Sequence, residues 1–178
     1  MAHSYLAGFN SSVWNAFLVL SPFGIGMYIF IFVKLRRSKQ RFHFFDAKHN
    51  LDSRLKEEGG EFADHWSHYE SLAKLAITLS AGAVAYLINT IANQKPPFIP
   101  FSQKLTDVAP IVVGFFGASI LFLIMFLLWM AFWYEDYCHH AEHNSYRAWK
   151  YALSVSLGLM GYISFVFGFG WLGANLFQ

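Results

Sequence analysis

Histidine is the residue whose type and spacing in this sequence most invite a chemical reading. His65 and His68 stand one helical turn apart in HWSH, and His139, His140 and His143 fall within HHAEH. Asp64, Glu135, Asp136 and Glu142 are interleaved with them. Imidazoles and carboxylates at i, i+3 and i+4 share one face of a helix, and facing helices of a bundle hold transition metals in this way. His65, His68, His139, His140 and His143 are therefore the candidate metal ligands. A transition metal is the one cofactor these residues suggest. The plainer alternative is a solvated polar surface at the edge of a membrane, where imidazoles need no ligand.

The elements that must position these histidines follow from where charge is missing. The chain has 178 residues, of which 56% are apolar and 13% charged. A soluble domain is roughly one quarter charged. Residues 1–33, 75–94, 108–134 and 151–178 contain no Asp, Glu, Lys or Arg. A helix crossing a bilayer needs roughly 20 mostly apolar residues. The expected fold is an all-α integral membrane protein with four transmembrane helices, at about 13–33, 73–93, 109–134 and 150–176. They form a single domain over 1–178, with a polar segment at 34–72. From Glu61 the helical pattern runs into the second span without a breaker, so that helix is expected to extend into the cytoplasm from about residue 61. Pro22 is expected to kink the first span, and the prolines of QKPPFIPF to make residues 94–101 a stiff, extended turn between spans two and three.

Lys and Arg set the orientation. Residues 34–74 and 135–150 hold eleven of the thirteen, the 95–107 connection holds Lys95 and Lys104, and the termini hold none. Positive segments stay cytoplasmic. Both termini are thus expected outside, in the inner (plasma) membrane of a cell as a multi-pass protein. Because positive charge follows the first apolar run rather than preceding it, that run reads as a retained anchor and not a cleaved signal. The basic run with Arg36, Arg37, Lys39 and Arg41 is expected to bind anionic lipid headgroups. The lipid bilayer is accordingly the first partner. A net charge of +2 gives no reason to expect direct nucleic-acid binding.

Lipid gives helices no hydrophobic reason to associate, so small residues that allow close approach mark packing faces. Ser154, Gly158, Gly161, Ser164 and Gly168 form one stripe on the fourth span. It is a helix-packing surface, an oligomer interface, or both. Gly161→Leu is expected to disrupt it, and Phe165→Leu, on a neighbouring face, to do much less. Ala76, Ser80 and Ala83 make a shorter row on span two, and Gly114 and Ala118 lie on span three. No span carries Asp, Glu, His, Lys or Arg at mid-depth, which argues against a proton-coupled or ion-coupled transporter.

Other reactive patterns are weaker. Arg37 and His43 have an R-x5-H spacing used by some helical ribonucleases, but the segment 34–74 is too short for the soluble bundle that chemistry needs. There is no Gly-rich phosphate loop and no GxSxG. The lone Cys138 sits beside His139 at the edge of the membrane with no identifiable activating geometry, and reads as a plain interfacial cysteine. No catalytic residue is assigned.

Two resemblances arise from these residues. HHAEH partly resembles the histidine boxes of membrane di-iron desaturases and hydroxylases, which are longer chains with differently ordered boxes. The stretch 72–88, with Lys74, Thr78, Leu79, Ser80 and Gly82, resembles the entry to the second span in small bacterial four-span membrane proteins of unassigned function. Some proteins of that build accompany antiviral defence systems. That resemblance implies a membrane subunit or pore-like effector. The absence of mid-membrane charge, the small-residue stripes and the short chain favour a non-enzymatic, self-assembling membrane protein, acting as a channel-like effector, a sensor or the membrane subunit of a larger complex. The alternative is a small metal-dependent membrane enzyme that uses the histidine clusters.

Overall fold

The computed structural model describes residues 2–37, 60–92, 100–140 and 148–176, with side chains over 11–36, 67–91, 107–135 and 149–175. Each stretch is one helix: α1 is Ala2–Arg37, α2 Gly60–Ala92, α3 Pro100–His140 and α4 Ala148–Leu176. No strand occurs among the described residues. Helices are the expected outcome, because backbone N–H and C=O groups in hydrocarbon must be satisfied within their own segment. All four are long and apolar enough to cross a membrane, over Ser11–Arg36, Ser67–Ile91, Asp107–Glu135 and Trp149–Asn175. Even the shortest, at 25 residues, is roughly 37 Å long at ~1.5 Å per residue, against about 30 Å of hydrocarbon. Each segment overlaps one expected span; the second starts six residues earlier than the expected 73 and the first ends three residues later than the expected 33.

α2 begins within a residue of its expected start and runs unbroken into its span. α1 continues as one helix through Pro22, and α3 through Pro110. The expected extended turn over 94–101 needs correction at its end. Residues 100–107 are already helical, and α3 opens on Pro100 itself. A proline is well placed in a first helical turn, because its missing N–H has no intrahelical acceptor there and its fixed φ suits the helix. Residues 93–99 lie outside the described residues.

α3 is the central helix. It packs on all three others and most extensively on α4; α1 touches both α3 and α4, whereas α2 rests on α3 and barely reaches α4. Half of α3's apolar window is buried, and none of α1's. Three apolar clusters fill the bundle. Ala73 and Ala76 of α2 meet Leu123, Phe126, Met130 and Trp133 of α3. Leu87 meets Val112, Val113 and Phe116. Ala118, Phe122 and Met160 join α3 to α4, with Phe17 and Leu20 of α1 against them. Low residue numbers on α2 thus lie beside high ones on α3, which is the antiparallel register of consecutive spans.

Candidate functional site

The α4 stripe is a seam against α3. A Cβ built at Gly161 would stand 2.5 Å from Leu123 Cγ, and one at Gly168 would stand 2.8 Å from Phe116 Cε1. One at Gly158 would make ordinary contact with Phe126 at 3.5 Å. Ser119 of α3 donates to the Gly161 carbonyl at 2.9 Å, a bond the close approach permits. Ser154 accepts from Trp129 Nε1 at 3.0 Å and donates to the Lys150 carbonyl. Ser164 is fully buried and donates to the Met160 carbonyl. All five stripe residues are therefore spent on packing within the chain. α1 approaches α3 in the same manner: a Cβ at Gly114 would stand 2.9 Å from the Ser12 carbonyl oxygen, and one at Gly117 would overlap Val13.

Phe165 does not lie on an idle face. Its ring meets those of Phe116 and Phe169, and it packs on two of the three apolar clusters. The expectation that Phe165→Leu is a mild change is thereby corrected. The neighbouring exposed positions are Val166 and Phe167.

At the Lys150 end of the bundle, aromatic rings surround the start of α4. Trp129 and Trp149 lie 5.5 Å apart by ring centroids, and Lys150 Nζ sits 6.0 Å from the Trp149 centroid. Lys150 is itself buried, and Trp129 Nε1 reaches its carbonyl as well as Ser154. Rings with one apolar and one polar edge suit the headgroup boundary. On α2, Lys74 pairs with Glu70 at 2.6 Å.

The histidines are placed only in part. His68 is exposed on α2, near the start of the apolar span. His65, His139 and His140 fall within α2 and α3, but their side chains lie outside the described residues, and so does all of His143. Among the described residues no three His, Cys, Asp or Glu side chains gather around one point. Of the basic headgroup residues, Arg36 is exposed at the end of α1, and the Arg37 side chain, Lys39 and Arg41 lie outside the described residues.

Sequence reasoning counted Ser80 only as a small residue and passed over Tyr162, both near the middle of their spans. Ser80 of α2 and Tyr162 of α4 have buried oxygens without hydrogen-bond partners. Ser80 carries a signal in its spacing, since it follows the buried Ala73 and Ala76 on one helical face. Tyr162 is a polar-tipped ring at the middle of an apolar span.

Comparison with known proteins returns no matching family model, no matching curated protein and no matching solved structure.

Proposed function

We propose that this chain is a non-enzymatic membrane protein that works by assembling with further copies of itself or with a larger membrane complex. The observation that carries the reading is the position of α3. Phe116, Leu123 and Val112 of that helix, with Met160 and Leu87 from its neighbours, are almost completely buried and fill the middle of the bundle. A single chain thus has a packed centre, and a channel-like role requires several copies. The α4 stripe is already occupied by α3, so assembly uses an outer face. α2 supports this best: Ala81, Gly82 and Ala85 are exposed together, and a Cβ at Gly82 would meet nothing within 4 Å. Small exposed residues let a second backbone approach closely.

The setting rests on two further supports. The distribution of Lys and Arg favours the inner (plasma) membrane with both termini outside. The resemblance to small bacterial four-span proteins favours a role as effector, sensor or membrane subunit, antiviral defence included. Particle mass in detergent tests the reading. The parent is expected to exceed the mass of one 20.4 kDa chain plus its micelle, and Gly82→Leu to reduce it. A monomeric parent in native-like nanodiscs as well as in detergent would overturn self-assembly.

A further inference from the structure

Among the described residues, Ser80 Oγ and the Tyr162 hydroxyl are the buried side-chain polar atoms without a hydrogen-bond partner. Ser80 is fully buried. Both stand at the middle of their spans, Ser80 within Ser67–Ile91 and Tyr162 within Trp149–Asn175. Ser119, close to the middle of Asp107–Glu135, is also fully buried and donates to the carbonyl of Gly161, the residue beside Tyr162. Three helices therefore bring hydroxyls to one depth, where hydrocarbon supplies no substitute for water.

The register brings the two residues to the same level of the bundle. α2 and α4 each run antiparallel to α3, so positions at mid-span share a level. The Tyr162 ring packs on the cluster of Ala73, Ala76, Leu123 and Phe126, and Ile77 packs on it too. Ser80 comes one turn after Ala76 and Ile77. This is also the seam where α2 and α4 scarcely touch. Other serines in the spans return their proton to the carbonyl four residues back, as Ser21, Ser156 and Ser164 do. Ser80 does not make that bond.

We propose that the Ser80 and Tyr162 hydroxyls bind one internal water between α2 and α4 at the bilayer midplane. Each hydroxyl both donates and accepts, so the pair supplies the minimum of two polar partners that a buried water needs. The water ties α2 to α4 where direct packing is thin.

Ser80→Ala and Tyr162→Phe remove only the hydroxyls. Each is expected to lower the melting temperature of the detergent-solubilised protein by roughly 2–4 °C. The double variant is expected to lose about as much as either single one, because the first substitution already releases the water. A single variant as stable as the parent, or losses that add, would overturn the proposal. Magnetisation transfer by NMR reads the water directly and needs no variant to fold. Transfer from water to the Tyr162 hydroxyl or ring protons is expected in the parent, and its absence there would equally overturn the proposal.

Discussion

Gly161 of α4 lies so close to Leu123 of α3 that a Cβ at position 161 would stand 2.5 Å from Leu123 Cγ and 3.4 Å from its backbone nitrogen. The side-chain overlap can relax by a rotamer change only into a packed interior, because Leu123 is fully buried. The backbone nitrogen cannot relax in that way. Gly161→Leu is therefore expected to destabilise the bundle by about 1–3 kcal/mol or more, the usual penalty of overpacking. Thermal melting in detergent measures it. Val166→Leu, at an exposed position one turn further on, is the matched control and is expected to melt with the parent. Equal melting of all three proteins would show that the seam does not depend on close approach.

Trp129→Phe keeps most of the ring and removes the Nε1 donor. That donor reaches Ser154 Oγ at 3.0 Å and the Lys150 carbonyl at 3.3 Å, joining α3 to the first turn of α4. Interhelical hydrogen bonds of membrane proteins average about 0.6 kcal/mol and reach about 1.7 kcal/mol. A loss in that range is expected, read by the same melting assay. A loss of zero would mean that water or lipid replaces the indole at this boundary.

The eleven-to-two division of Lys and Arg between residues 34–74 with 135–150 and residues 95–107 predicts an orientation with both termini outside. On a Cys138→Ser background, a cysteine introduced at Gly60 is expected to resist a membrane-impermeant maleimide in intact cells and to react after lysis. One introduced at Ser4 is expected to react in intact cells. The reverse pattern would invert the topology without changing the bundle.

Metal content separates the two functional classes. Under the non-enzymatic reading, protein purified after zinc and iron supplementation is expected to hold substoichiometric metal by elemental analysis, and His68→Ala and His139→Ala to leave that content unchanged. A stoichiometric metal lost in both variants would favour the enzyme reading instead. Its occupancy would fall below about pH 6, because only deprotonated imidazoles coordinate.

The bilayer explains why so much of the fold was legible from residue types. Hydrocarbon thickness sets a minimum length for an uncharged run, so the runs before Lys34, between Lys74 and Lys95, between Asp107 and Glu135, and after Lys150 locate the spans directly. The small residues Ser154, Gly158, Gly161, Ser164 and Gly168 likewise announce a close-approach face, because any backbone near them requires their lack of bulk. What they do not encode is whose backbone arrives. Tertiary structure decided that Leu123, Phe116 and Phe126 of α3 fill those positions, leaving the exposed face of α2 for other contacts. It also decided that Phe165 is a core ring, and that Pro100 begins a helix rather than extending a turn. Phe165 has the same composition cue as its exposed neighbour Phe167, since protein interior and lipid are equally apolar. Only the direction in which each side chain meets another helix tells them apart. Ser80 and Tyr162 follow the same rule, for a hydroxyl in an apolar run acquires meaning only once the three helices that surround it are in place.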